Sequence, residues 1–292
     1  IYNKIYNYTF YGFIFEIYSK IYIFIFKKLN KIYFLHKYET SVSDNGFYNT
    51  YIKEITLDNN KFKNFKRNPI YREILEHVFY TQGLQYLKIV EKDNSNLIKK
   101  IDYFLENDKI GNPLRYYYPQ INKIASPTTL RYLKIASDIK NLFGNSFGGK
   151  ICELGAGYGG QFILFDKIFK IQTYTIIDLP EVNDLIKKYL HFFNTRSKYY
   201  LSSINQSKNY EFDFFISNYA FSELPRKLQL ICLQTIITNS KNGYMIMNSG
   251  KNDSVYKNHL SLQEIKVHIP NLQILDEKPL THTGNYIIIW KN

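Results

Sequence analysis

Cysteine is scarce: of 292 residues only Cys152 and Cys232 carry a thiol. Two thiols exclude a disulfide framework and any thiolate-rich metal centre, and they suit a reducing compartment. The expected location is therefore cytoplasmic. With 8 Pro and 14 Gly the chain is neither collagen-like nor low-complexity. No stretch reads cleanly as a membrane span. Residues 5–26 are apolar and aromatic, but Asn7, Glu16 and Lys20 interrupt them, whereas a bilayer wants about 20 predominantly apolar residues. A secretory signal, with its short apolar stretch and small-residue cleavage site, fits no better. A helix packed on the domain is expected there, with peripheral contact at the inner membrane through residues 1–30 as the alternative. Methionine is also rare, and the first is Met245, so the true start is expected upstream of Ile1.

What the chain has in excess is aromatic side chains, 28 Tyr and 22 Phe. A hydrophobic share of 45% with 22% charged residues is otherwise ordinary for a globular chain. The length suits one α/β domain plus an appendage. The formal charge of +13 is uneven, with +10 in residues 1–150 and +3 in residues 151–292. A basic face attracts nucleic acid, anionic lipid or phosphorylated substrates, although biased codon supply explains a Lys-, Asn-, Ile- and Tyr-rich chain more simply. The densest basic cluster, Lys61, Lys63, Lys66 and Arg67, alternates with Phe62 and Phe65 beside Pro69 and reads as a solvated loop.

Organisation changes near residue 145. Before it, apolar residues recur at helical spacing: Ile70, Ile74, Leu75, Val78 and Phe79, then Leu84, Leu87 and Val90, then Leu97, Ile101, Phe104 and Leu105. Ser126-Pro127 reads as an N-cap and first-turn proline, opening a helix that stops at Gly144. Gly111-Asn112-Pro113 reads as a helix terminator. Residues 1–145 are thus expected to form an aromatic-rich, basic helical cap.

Residues 146–292 alternate between strand and helix. Strands are expected at 150–154, 173–178, 199–201, 212–217, 244–247, 272–275 and 286–290, and helices at 162–169, 181–190, 224–237 and 262–269. Alternation of this kind specifies a mostly parallel sheet covered on both faces. The last two strands have no helix between them, so one is expected to run antiparallel.

The chemistry begins at Glu153-Leu154-Gly155-Ala156-Gly157-Tyr158-Gly159-Gly160. A glycine loop leaving the first strand lets backbone approach a cofactor and aims the next helix's N-terminus at it. Asp178, at the end of the second strand, suits a ribose diol. Gly155, Gly157 and Gly160 also satisfy the dinucleotide fingerprint, so glycines and acid leave NAD and S-adenosylmethionine both open. Context favours the second. Too little chain follows for a further substrate domain, Glu153 suits a cationic amino group better than a pyrophosphate, and the missing helix before Trp290 matches a class I methyltransferase sheet with a reversed last strand.

From Gly111 to Trp290 the chain resembles the bacterial sugar O-methyltransferase family. The matching segments are Gly111-Asn112-Pro113, Ser126-Pro127, Leu130-Arg131-Tyr132, Glu153 to Gln161, Asp178-Leu179-Pro180-Glu181-Val182 and Tyr189-Leu190. They continue through the block from Ser217 to Leu224, Gly243-Tyr244, Met247-Asn248 and Ile287 to Trp290. The resemblance implies S-adenosyl-L-methionine as cofactor and a sugar hydroxyl on a nucleotide- or lipid-linked polysaccharide precursor as acceptor. The candidate cofactor residues are Glu153, Gly155, Gly157, Tyr158, Gly159, Gln161, Asp178, Leu179, Ser202, Ser203 and Asn218. Of these, Ser202 and Ser203 fall where adenine would lie, with plain loop serines as the alternative, and Tyr158 and Gln161 fall on the cofactor side, with a core tyrosine as the plainer reading of Tyr158.

An alcohol must lose its proton as it is methylated, which gives a general base a role. Glu223 and His282 are the candidates, each with a plainer reading, as a helix-opening carboxylate and as a loop histidine. No metal site is expected, because His259, His268 and Asp253 lack the spacing of one. Ser217 to Leu224 contains no proline, unlike the Asn- or Asp-Pro-Pro of many base-amino methylases, so nucleic acid is not the expected partner. An RNA methyltransferase and an inactive scaffold of the same fold are the competing readings.

Overall fold

The structure is a computed structural model. It describes residues 12–14, 17, 18, 21, 47–206, 211–250 and 258–292. Nearly all of the opening segment, with its expected helix and membrane contact, lies outside the described residues. These residues divide into two compact units that meet in sequence between Asn141 and Leu142.

The front unit is mainly helical, and its helices begin where side chains can cap them. Asp58 accepts from the backbone of Asn60 and Lys61 to open α2 (Asn59–Lys63) after α1 (Phe47–Leu57). Asn68 caps α3 (Pro69–Ile74), with Pro69 in the first turn. The long α4 (Tyr80–Ile98) bends at Asn94, whose amide leaves the helical conformation and donates to Ser137 and Asn141. A four-residue α5 (Ile101–Phe104) follows. Gly111-Asn112-Pro113 follows a helical turn that ends at Lys109, as a terminator should, and then leads into an antiparallel hairpin, β1 (Tyr116–Tyr118) with β2 (Lys123–Ala125), which helical periodicity could not reveal because each strand has three residues. One sequence expectation fails here: the basic cluster is not a solvated loop, since Lys61 and Lys63 are exposed but Phe62, Phe65 and Lys66 are buried, and the Lys66 ammonium donates 2.8 Å to the Asn107 carbonyl. Ser126 caps α6 (Pro127–Phe143) as expected, its hydroxyl accepting from the Thr129 amide.

The second unit is built on one seven-stranded sheet. In chain order its elements are β3 (Gly149–Leu154), α7 (Gly160–Ile168), β4 (Ile171–Ile177), α8 (Pro180–Leu190), β5 (Lys198–Ser202), β6 (Phe212–Asn218), α9 (Ala220–Glu223) and α10 (Arg226–Cys232). After α10 a π turn reaches Ile237, followed by β7 (Ser240–Met247), α11 (Leu262–His268), β8 (Gln273–Asp276) and β9 (Tyr286–Trp290). The spatial order is β5-β4-β3-β6-β7-β9-β8. β3 to β7 pair in parallel, and β9 runs antiparallel to both β7 and β8. This is the class I methyltransferase sheet, with a reversed strand inserted near one edge.

The central strands β3, β6 and β7 are buried at most positions, as a parallel sheet requires. One core cluster joins Cys152, Phe215, Cys232, Met245, Ile288 and Trp290, and a Cβ on Gly243 would lie 2.1 Å from the Trp290 ring. Among the described residues no helix is long and apolar enough to cross a membrane. Burial raises the Cys152 thiol well above its usual value and pushes Cys232 up to about 12. Both should therefore resist iodoacetamide in the native protein and react only after unfolding, as mass spectrometry of labelled and denatured samples would show. Native labelling of either thiol would contradict this packing.

Candidate functional site

In an open parallel sheet the ligand crevice lies beyond the carboxyl ends of the strands, where the order reverses. Here that point is between β3 and β6, both leaving in the same direction. The loop after β3 is glycine-rich for two separate reasons. Gly155 and Gly157 have φ of +77° and +61°, in the left-handed region. A Cβ on Gly155 would also stand 2.1 Å from the Ala220 Cβ, so the loop after β3 and the start of α9 approach each other only because the side chain is missing. Gly159, at φ +84°, then opens α7.

Glu153 is buried beneath this loop. Its Oε1 accepts 2.8 Å from Gln161 Nε2, and its Oε2 accepts 2.8 Å from the Tyr174 hydroxyl. Strand register explains the second contact: Tyr174 stands opposite Ile151, so it shares a face with Glu153 two residues further along β3. Gln161 in turn accepts 2.8 Å from Asn218 Nδ2 at the end of β6. The remaining Asn218 oxygen, Oδ1, is buried without a hydrogen-bond partner. A buried acceptor in that state calls for a donor, and an ammonium or amino group in the crevice would supply one.

Asp178 follows β4. Its Oδ2 takes the Gly157 amide at 3.3 Å and its Oδ1 the Leu179 amide at 2.9 Å. A carboxylate has about four lone-pair sites, so this half-buried side chain orders the glycine loop and retains capacity for hydroxyl donors. Asn183 on α8 ties the same corner together by donating to the Ser202 carbonyl at 2.8 Å.

Two hydrogen-bonded groups thus meet at the carboxyl ends of the strands, one of Glu153, Gln161, Tyr174 and Asn218 and one of Asp178 with the glycine turn. Leu179 contributes its amide and opens α8. Ser202 joins through its carbonyl, whereas its hydroxyl turns 3.4 Å to the Ser203 carbonyl. Of the two readings of Tyr158, cofactor side or core, its ring takes the second: it is fully buried, with its centroid 4.9 Å from that of Tyr189. Glu223 is half-buried at the end of α9, where its Oε1 accepts 2.9 Å from Asn248 Nδ2. His282 is exposed, and its Nδ1 lies 3.0 Å from the Thr283 carbonyl. Among the described residues no three His, Cys, Asp or Glu side chains are grouped to hold a metal ion, and Asp253 lies outside them.

Sequence reasoning missed Tyr174, Asn183 and the unusual backbone of Tyr219. The last has φ +69° and ψ −33°, a conformation that costs a bulky L-residue on the order of 1–3 kcal/mol. Its signal was present, since Tyr219 stands inside the block from Ser217 to Leu224. Ser217, fully buried, fixes that block by donating 3.1 Å to the Leu154 carbonyl and accepting from the Phe221 amide.

No family profile and no curated protein matches this sequence. Among solved structures, an O-methyltransferase family protein from Burkholderia thailandensis is similar at 12% identity and TM-score 0.42, over 56% of this chain and 57% of that one. A variant of MtNAS in complex with S-adenosylmethionine is similar at 14% identity and TM-score 0.42, over 82% and 88%. Human N-acetylserotonin methyltransferase in complex with the same compound is similar at 14% identity and TM-score 0.39, over 56% of each chain.

The electrostatics of the site make a prediction of their own. Burial pushes Glu153 up to about 8 from 4.5, against the hydrogen bond from Tyr174, with the Asp178 charge raising it further and Gln161 opposing. Asp178 is pushed up to about 6 from 3.8 by loss of solvent, against the amides of Leu179, Gly157 and Ala156. An acid with a raised native pKa holds its proton longer in the folded state. Its stabilising contribution is complete below the unfolded value and is lost as pH rises through the native one. The ligand-free protein should therefore lose stability from about pH 4.5 to about 8 through Glu153, and the slope of urea midpoint against pH should flatten in Glu153→Gln. An unchanged slope would separate this carboxyl from folding.

Proposed function

We propose that the chain is an S-adenosylmethionine-dependent O-methyltransferase acting on a sugar hydroxyl of a cell-surface polysaccharide precursor. The observation that carries the cofactor assignment is the convergence, at the β3/β6 switch point, of the glycine turn, Asp178 and the partnerless Asn218 Oδ1. The sugar acceptor is supported by the resemblance running from Gly111 to Trp290, and the basic balance of the front half suits a phosphorylated carrier.

Bound there, the cofactor supplies a methyl group already activated on a sulfonium sulfur. The chain's own work is to hold and align. The backbone from Gly155 to Gly159 is the surface of approach, Asp178 accepts the ribose hydroxyls, and Asn218 Oδ1 accepts the amino group of the methionine portion. Glu153 does not meet that amino group itself, because it is almost wholly buried against Gln161 and Tyr174. It acts through Gln161, which takes the Asn218 amide nitrogen and so leaves Oδ1 for a donor from the ligand. Fixing the direction of attack before reaction is where an in-line displacement gains most of its rate.

Isothermal titration calorimetry with S-adenosylmethionine tests the assignment. Gly157→Val places a β-branched residue at φ +61° and should abolish binding while the far-ultraviolet spectrum is retained. Asp178→Ala should weaken binding by about tenfold to a hundredfold, the scale of a lost charge-assisted hydrogen-bond pair. Wild-type protein that binds NAD and not S-adenosylmethionine would overturn the reading in favour of an oxidoreductase. Protein that binds neither would favour a scaffold.

A further inference from the structure

Asn218 and Tyr219 are consecutive, yet they serve opposite halves of the sheet. Asn218 turns toward Gln161, on the β3 side where the cofactor loop lies. Tyr219 sends its hydroxyl the other way, 2.5 Å from Glu277 Oε1 in the connection between β8 and β9. Tyr219 has a positive φ at the point where the two side chains diverge.

Glu277 is buried, and every hydrogen bond it makes is one it accepts. Besides the Tyr219 phenol, it receives the Thr281 amide at 2.8 Å, the Thr281 hydroxyl at 2.8 and 2.9 Å, and Asn285 Nδ2 at 3.1 Å. Asn285 also donates 2.9 Å to the Thr281 hydroxyl, holding the small cluster together. The result is a half-buried phenol at the exit of β6, beside the ligand crevice, with a carboxylate fixed directly behind it. Neither earlier candidate for the base is so arranged: Glu223 is engaged by Asn248, and His282 is exposed on its loop.

Resting on the methyltransferase reading, we propose that Tyr219 removes the acceptor's proton and that Glu277 receives it through the phenol. The acceptor O–H bond breaks as its proton passes to Tyr219 Oη, while the phenolic proton moves to the Glu277 carboxylate. The electron pair left on the acceptor oxygen forms the new bond to the methyl carbon. The carbon–sulfur bond breaks with its electrons on sulfur, which becomes a neutral thioether, and Glu277 later returns its proton to water. Tyr219 is then a catalytic residue that touches the acceptor oxygen, and Glu277 a positioning residue acting through it.

The test uses full-length protein, methyl-labelled S-adenosylmethionine and a carbohydrate extract of source cells from which the gene has been deleted. Wild-type protein should label the extract. Tyr219→Phe keeps the ring and should bind S-adenosylmethionine within about twofold by calorimetry, yet label about 10² to 10⁴ times more slowly. Glu277→Gln should lose the acidic limb of the rate–pH profile, and Glu277→Asp, which keeps the carboxylate should Gln disturb the loop, should retain it. A purely structural latch would lower the melting temperature of these variants and leave the profile in place, which overturns the inference. So does Tyr219→Phe labelling at the wild-type rate. If the wild type itself labels nothing, the proposed reaction fails first and takes this inference with it.

Discussion

The carboxyl group of Glu153, buried at the end of the central strand, is the group around which the site is organised. A carboxylate in that position is costly unless each oxygen finds a donor. The chain provides Tyr174 from the neighbouring strand β4 and Gln161 from the first turn of α7. Those donors are held in turn: Gln161 fixes Asn218 on β6, and the Tyr174 ring lies 4.6 Å from that of Phe162. One buried acid thereby sets the relative positions of three strands and a helix at the place where ligand chemistry is expected. Removing a single member leaves the others unsatisfied in a poorly solvated setting, so the network stands or falls as a unit.

Above that network the decisive features are in the backbone. Gly155 and Ala220 come within contact across the switch point because neither has a large side chain, and their closeness brings the glycine turn against the start of α9. Asn218 and Tyr219, the two residues just before α9, then divide the crevice. One side chain joins the β3-β4 side, where Asp178 and the turn are found, and the other joins the β8-β9 side, where Glu277, Thr281 and Asn285 gather. The reversed strand β9 matters for this second half. Because β8 and β9 pair antiparallel, their connection returns to the carboxyl end of the sheet, where Glu277 and Thr281 meet Tyr219.

The sheet was legible because β3, β6, β7 and β9 each carry a compact apolar run, β5 being the weakest signal, and the absence of a helix before β9 disclosed its reversed direction. The cofactor side was legible for a related reason: its signals are local, a glycine turn and an acid at a strand's end. What could not be read were pairings between distant residues. Nothing near Tyr174 in sequence points to Glu153, and nothing near Glu277 points to Tyr219, since register and loop closure create both contacts. Tyr158 shows that a place within the glycine motif does not by itself make a side chain a ligand contact: its ring is buried against Tyr189, the plainer of the two readings its aromatic context allowed.

The front half carries the larger share of positive charge, yet its chemistry is substantially internal. Lys66 is fully buried, and burial lowers it to about 8 against the pull of Glu76 and Asp108. Arg72, Arg131 and Lys134 are buried as well. Asp108 accepts from the Ser126 amide and from the Ser126 and Thr129 hydroxyls, each at 2.6 Å, while the Lys66 amide and the Arg67 guanidinium hold the carbonyls of Gly111 and Asn112. These contacts account for why Gly111-Asn112-Pro113 and Ser126-Pro127 stand where they do: they anchor the hairpin and the start of α6 to the helices before them. A net charge read from sequence counts such cations as surface, although a side chain committed to an internal carbonyl or carboxylate contributes little to the field outside.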